Sequence, residues 1–385
     1  MIQYINKFFK SPQNQKSSSS FYLSDDIFKA VNVTADEYSN NVIVHRCVNI
    51  ISQAASHVPW IICEKTNSSK TVRLCDHPLY GLLKRPNQMQ AGADFFSELV
   101  ASKLLYGNSF ILGYGEKSPT SLFLLHPNNV KVVSENGYIT HYIYTSGGKE
   151  IKFPVNQKNL FCRILQLKNY HPTSNTQGVS AIKAASKSIE LHNNTATWNN
   201  NLLKNGARPT GALVMKEGND YLSDEQFSRL QEQLYEKYTS SANAGKPLLL
   251  EGGLDWREMS ISPKDMDFIE SKNSAAREIA LAFGLPPQLL GIAGDNTYSN
   301  MQEARLALWE ETIIPLLDKL SDNLSNWFSI WLGKEVVIDF DRDAISALSE
   351  KRQNSLEKLS KASFMTINEK RAIIGLPPIK GGDSL

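Results

Sequence analysis

Three carboxylates alternate in the run DFDRD, at Asp339, Asp341 and Asp343. Alternate residues of an extended chain share a face, so the three could surround a divalent cation with oxygen ligands. A calcium loop would continue with a turn glycine and a closing glutamate, and neither follows here. The spacing suits a solvated strand end equally well, and that is the expectation. Metal-dependent hydrolysis, as in a nuclease, stands as the alternative chemistry and would need a third ligand and a pocket. The seven histidines are scattered singly. His77 and His126 each precede a proline, which suits the start of a local element and a structural role.

Other chemistries lack their motifs. Gly245-Lys246 is followed by Pro247, and Ser240 stands where a phosphate-cradling loop needs its first glycine. Gly113 and Gly115 are followed by Ser118 instead of the third glycine of a dinucleotide fingerprint. The nucleophile elbow G-x-S-x-G and the zinc motif H-E-x-x-H are absent. No catalytic residue, cofactor or metal is therefore expected.

The chain of 385 residues is long for one domain and is 41% hydrophobic, enough to build real cores. Lys and Arg number 41 against 39 Asp and Glu, a net charge of +2, which argues against tight nonspecific binding of nucleic acid. Cys47, Cys63, Cys75 and Cys162 show no CxxC spacing and read as reduced, mostly buried thiols. No apolar run approaches the roughly 20 residues that cross a bilayer, and the first residues lack a secretory signal.

The hydrophobic periods then place the elements. Ile43, Cys47, Ile50, Ile51, Ala54 and Val58 form a helical stripe ended by Pro59, and WIICE continues as a strand. A second helix fits AGADFFSELVASKLLYG, with Gly107 as its stop. From Phe110 to Ile164 the period becomes two, giving an antiparallel meander with tight turns at Asn136-Gly137 and Gly147-Gly148. Residues 178–204 read as an amide-rich helix with the thin stripe Ile182, Ala185, Ile189, Ala196 and Leu203, most simply a surface helix. Residues 209–262 hold a strand, a helix capped by the Ser223/Gln226 box, and a hairpin turning at Gly252-Gly253. That unit carries five basic residues against nine acidic ones, net −4, and would attract a basic protein surface. A small-residue helix covers 267–283. Met301 to Leu332 gives the strongest helical pattern, with Pro315 inside it predicting a kink near 311–315. A strand at EVVIDF, two helical segments with a capping box at Thr366/Glu369, and a loose tail complete the chain.

Five stretches in order resemble the portal proteins of tailed bacteriophages, in the HK97-like branch also found in prophages and gene-transfer particles. They are HRCVNIISQAASHVPW, HPLYGLLKRPNQMQAGADFFSELVASKLLYGNSFI, LHPNNVKVV, GVSAIKAASKSI with LLKNGARPTGALV, and IALAFGLPPQLLGIAGDNTYSNMQEARLALWEETIIPLL; TINEKRAIIGLPPIKGGD follows. The resemblance implies an α+β portal fold. It has an arm over 1–41, a wing over 42–177, a stem helix over 178–208 and a clip over 209–262. A second stem helix follows over 263–284, a tunnel loop over 285–300, the long kinked helix and a wing strand over 301–343, and a crown over 344–385. It implies a homo-oligomeric ring, commonly a dodecamer, at one capsid vertex, with double-stranded DNA passing through. Partners would be the large terminase subunit, a head-tail adaptor and the major capsid protein, with no membrane; the particle would be assembled in the bacterial host cytoplasm.

On that resemblance, Gly291, Gly294, Asp295, Asn296, Thr297, Tyr298, Ser299 and Asn300 would face the DNA channel, Pro315 would kink the long helix, and Glu251, Asp255, Arg257 and Glu258 would serve motor or adaptor docking. Prolines 286 and 287 would stiffen the loop's exit, and its tip contains no Lys or Arg, so it could touch a duplex without gripping phosphates. A plain helix-to-helix connection, with Ser299 or Asn300 as cap, is the simpler alternative. An adaptor or scaffold that binds only proteins is a further alternative.

Overall fold

The computed structural model describes residues 36–65, 71–74, 76–204, 211–215, 223–238, 254–258, 268–292, 298–374, 376 and 378–384. Its first long helix, α1 (Val42–Ser56), starts where Asn41 turns its side-chain oxygen onto the amides of Ile43 and Val44, at 3.0 and 3.1 Å. Val44, Cys47, Val48, Ile51 and Ala55 are its buried face. The expected stripe is thus rotated: Ile43, Ile50 and Ala54 flank the core half-buried. The last residues of the arm expected over 1–41 are folded. Residues 36–40 are helical and Asn41 is buried, while the rest of that arm lies outside the described residues.

Strands β1 (Trp60–Lys65) and β2 (Thr71–Arg73) pair antiparallel, and helices α2 (Pro78–Lys84) and α3 (Gly92–Tyr106) follow. Gly107 ends α3 at φ 72°, a left-handed conformation glycine takes without penalty. The period-two region divides in two, instead of forming one meander. Strands β3 (Asn108–Tyr114), β4 (Ser121–Leu125) and β8 (Ile164–Lys168) make one antiparallel sheet in the order β4-β3-β8. Strands β5 (Val130–Glu135), β6 (Tyr138–Ser146) and β7 (Lys149–Pro154) make a true meander. Its turns are the expected ones, with Asn136 and Gly137 at φ 52° and 83° and Gly147 and Gly148 at 56° and 77°.

Helix α4 (Ala181–Lys204) precedes a small unit of β9 (Gly211–Met215), α5 (Asp224–Tyr238) and β10 (Leu254–Glu258). Ser223 and Gln226 exchange the two bonds of the expected capping box. β10 pairs antiparallel with β9; the other arm of the expected hairpin and its Gly252-Gly253 turn lie outside the described residues. Helix α6 (Phe268–Phe283) follows, then α7 (Tyr298–Ala307), α8 (Ile314–Leu332), β11 (Val336–Phe340), α9 (Ser349–Lys361) and α10 (Ile367–Ile373).

The main core gathers α1, α3, α6, α8 and the sheet of β1. β11 pairs with β1, Trp60 opposite Phe340, so the two ends of the folded chain close one sheet. Leu317, Leu320, Leu324, Trp327, Phe328 and Trp331 of α8 line this core, as their spacing predicts. Trp327 donates its indole N–H to the Cys162 carbonyl at 2.7 Å, joining this helix to the segment before β8. The tail is not loose: Asn368 holds the Ile379 carbonyl at 3.0 Å, the Asp383 carboxylate at 2.7 Å and the Ile379 amide at 2.8 Å.

Candidate functional site

Helices α4 and α6 form an antiparallel pair. Trp198 stacks on Phe268 at 4.2 Å near one end, and Ser188 donates to the Glu278 carboxylate at 2.5 Å near the other. Ile182, Ala185 and Ile189 of α4 share the main core with Ile279 and Ala280 of α6, and the small buried side chains of Ala275, Ala276 and Ala280 let the two backbones approach. Over the next two turns the buried positions of α4 become polar, at His192 and Thr195. Asn41 reaches across to Asn193 at 2.8 Å and to His192 Nδ1 at 3.3 Å. The amide-rich helix is therefore packed along one side through hydrogen bonds, not merely laid on the surface. Burial, with Lys272 as a smaller cause, holds His192 below the usual imidazole range. Burial, with Glu190 as the smaller cause, pushes Glu37 above the usual carboxylate value, and its Oε2 is buried without a hydrogen-bond partner among the described residues.

The connection between α6 and α7 is launched with defined geometry. Gly284, at φ 74°, donates to Leu281 O at 3.0 Å, and Leu285 donates to Ala280 O at 2.9 Å; these are the two bonds of a Schellman end. Thr312 Oγ1 donates to Gly284 O at 2.5 Å, tying this end to the long helix. Leu285 is only 1% exposed. Pro287–Leu290 then make a 3-10 turn whose Leu289 and Leu290 pack on the main core, stopped by Gly291 at φ 78°. Only part of the stretch 285–300, expected as a tunnel loop, is free of docked or helical structure. Residues 285–290 are docked because leucines at 285, 289 and 290 anchor them, and Tyr298, Ser299 and Asn300 belong to the first turn of α7. What remains is 291–297, of which 293–297, with the candidates Gly294, Asp295, Asn296 and Thr297, lie outside the described residues.

The helix is irregular just before Pro315, where a kink is expected. The chain is helical from Tyr298 to Leu332, with a π-helical segment at Leu308–Ile313 just before the proline; Ile314 N–H bonds Trp309 O, five residues back. A widened turn relieves the crowding a proline ring imposes on the preceding turn.

Of the four clip positions, Asp255 and Arg257 are exposed on β10, Glu258 ends that strand, and Glu251 lies outside the described residues. The alternating aspartates are engaged elsewhere. Arg342 pairs with Asp318 at 2.5 Å and approaches Asp339 at 4.0 Å, Asp341 caps a 3-10 turn by accepting from Asp343 N at 3.0 Å, and Arg352 pairs with Asp343 at 3.0 Å. Among the described residues no three potential metal ligands converge. His77 and His126 take the structural role their prolines suggest, each Nδ1 accepting the amide two residues on at 3.2 and 3.4 Å. Burial pushes the Cys47 thiol up to about 12, which leaves it inert. Sequence reasoning missed Gly284 and Thr312. Gly284 carried a signal, a glycine straight after an apolar helix; Thr312 carried none.

Comparison with known proteins fits this architecture. A family model described as "Phage portal protein" matches residues 42–375. A Rickettsia bellii protein is 57% identical over 386 residues, covering 99% of each chain. The portal protein of Enterobacteria phage HK97 is 25% identical over 355 residues, 88% of this chain and 80% of that one. Among solved structures, a chain from the neck of an empty gene transfer agent particle, computed with C6 symmetry, is 36% identical, covers 91% of this chain and 94% of its own, and has a TM-score of 0.71. An HK97-family phage portal protein from Corynebacterium diphtheriae, at 15% identity and a TM-score of 0.58, shares the fold over 81% of this chain and 96% of that one. Portal proteins are not enzymes. By the family match across 42–375 and these likenesses, the chain belongs to the phage portal protein family, in its HK97-like branch.

Proposed function

We propose that the chain is the repeating subunit of a ring that joins head to tail, at one vertex of a phage capsid or of a gene transfer agent particle, and that double-stranded DNA is packaged and ejected through its centre. The observation that carries this reading is the 36% identity, over 91% of the chain, to neck chains of gene transfer agent particles computed with C6 and with C12 symmetry. Copies related by such an axis form closed rings. In this reading α4 and α6 are the stem, the β9–α5–β10 unit is the clip, and residues 291–297 face the channel. The α1–β8 region with α8 and β11 is the wing, and residues from 344 onward are a modest crown.

Features of the single subunit support it. Leu191, Ile269 and Leu281 on the paired helices are 45, 77 and 64% exposed, apolar positions that a neighbouring stem would cover. The acidic balance of 209–262 suits docking of a basic motor surface, the large terminase subunit during filling and an adaptor afterwards. The connection over 285–300 contains no Lys or Arg, so copies of it around a channel would give DNA no phosphate-binding ring. No helix of the described residues is long and apolar enough to cross a membrane. Class-averaged electron micrographs of the purified protein, or of particles containing it, test the reading. Rings with a central hole are expected; a population of solid, compact single subunits at all concentrations and in particles would overturn it.

A further inference from the structure

A cleft of about 210 Å³ opens between the second half of α3, strand β8 and the first half of α8. Its floor is apolar, with Leu99, Val100, Leu167 and Leu320 each under 9% exposed. Its rim is basic: Lys103, Lys168 and Lys319 arrive from three different elements. Lys103 donates to Asn169 Oδ1 at 2.5 Å and Lys168 to the Asn175 carbonyl, both neutral acceptors. Among the described residues no carboxylate pairs with any of the three lysines. Burial and the nearby Lys319 hold Lys103 below the ordinary lysine range, so the rim is electrostatically unsatisfied. An apolar floor under uncompensated cations fits a peptide that carries carboxylates flanked by large apolar side chains.

The first 35 residues contain one such stretch. Asp25 and Asp26 are the sole acidic residues among them, and they sit between Phe21-Tyr22-Leu23 and Ile27-Phe28. The stretch lies outside the described residues, which begin at 36. The intervening chain from 28 to 36 can span about 25 Å when extended. We propose that residues 21–28 of the same chain dock in this cleft, with Asp25 and Asp26 against the lysine rim and an aromatic or aliphatic neighbour on the leucine floor. The segment would then act as a strap across the α3–β8–α8 junction. This docking does not depend on the ring reading.

Carbodiimide coupling of the full-length protein, mapped by mass spectrometry, tests it. Isopeptide links from Asp25 or Asp26 to Lys103, Lys168 or Lys319 are expected. In K168E/K319E, which alters two exposed side chains, linkage at the remaining Lys103 should fall about tenfold, as two weak ion pairs lost together predict. A benzoylphenylalanine photo-crosslinker at position 28 gives a second readout, since it should label the α3 and α8 walls in the wild type and lose that labelling in K168E/K319E. Restoring the labelling with D25K/D26K in the same chain would support the pairing. Links confined to other sites, labelling unchanged by K168E/K319E, or links found only between isotopically distinct copies would overturn the intrachain strap.

Discussion

Gly284 offers a quantitative test of how the connection between α6 and α7 is launched. A Cβ added there would stand 2.9 Å from Thr312 Oγ1 and 3.4 Å from Thr312 Cγ2, and the residue would have to hold φ 74°. Left-handed backbone costs an L-residue about 1–2 kcal/mol, and the close contact adds about 1 kcal/mol more as an overpacking strain. Gly284→Ala should therefore destabilise by about 2–3 kcal/mol. Thr312→Ala removes the hydroxyl that donates to Gly284 O, at about 1 kcal/mol for a net hydrogen bond. In the double variant the hydroxyl and the Cγ2 are gone, so only the backbone term of the glycine change persists. The two changes should fall short of additivity by about 1 kcal/mol. Urea unfolding followed by tryptophan fluorescence at 25 °C reads all four corners of the cycle. A single G284A cost under about 0.5 kcal/mol, within the scatter of neutral surface changes, or full additivity in the double variant, would refute the claim that this Schellman end is locked by Thr312.

Three other outcomes are expected. Deleting residues 294–297 should leave particles that assemble but do not retain or pass DNA, measured as packaged DNA per particle; normal packaging would remove 291–297 from the channel. Reversing Asp255 and Glu258 to lysine should weaken binding of the packaging motor in a pull-down while rings still form. The third is a pH dependence. Glu37 holds its proton more tightly folded than unfolded, so its contribution makes stability fall as pH rises through the window above 4.5. His192 holds its proton less tightly folded, so its contribution makes stability fall as pH drops below 6.5. Glu37→Gln should therefore gain stability relative to the wild type as pH rises above 4.5, seen as a widening difference in urea midpoint.

Local chemistry was legible in the sequence wherever one residue type has one physical use. Gly107, Asn136-Gly137, Gly147-Gly148 and the Ser223/Gln226 and Thr366/Glu369 boxes all stand where their backbone preferences put them. The apolar face of α8 was equally clear, because a long stripe averages out single exceptions. Pairings distant in the chain were not legible. Nothing in WIICE names EVVIDF as its partner, and a period of two cannot say that residues 110–168 split into two sheets. The loop between α6 and α7 was drawn too long for a physical reason. Pro-Pro and glycine signal a break in helix, but they do not reveal that Leu285, Leu289 and Leu290 find a core to bury in. The tail over 376–384 looked loose because a single asparagine, Asn368, supplies its anchors.

The π-helical segment before Pro315 explains a spacing in the buried positions. Ala304 and Leu308 lie four apart and Ile313, Leu317 and Leu320 recur at four and three, yet Leu308 and Ile313 are separated by five. The widened turn takes up the surplus residue, so the stretches before and after it keep their buried positions on the same side. Each α-helical residue turns the chain by about 100°, so four residues come back nearly to the starting face. Removing one of residues 309–311 would leave Leu308 and Ile313 four apart on that face, and the π turn would close into ordinary α-helix. This stretch of the long helix can therefore lose one residue without turning either half to water, whereas a loss within the regular turns on either side would rotate one half by about 100°.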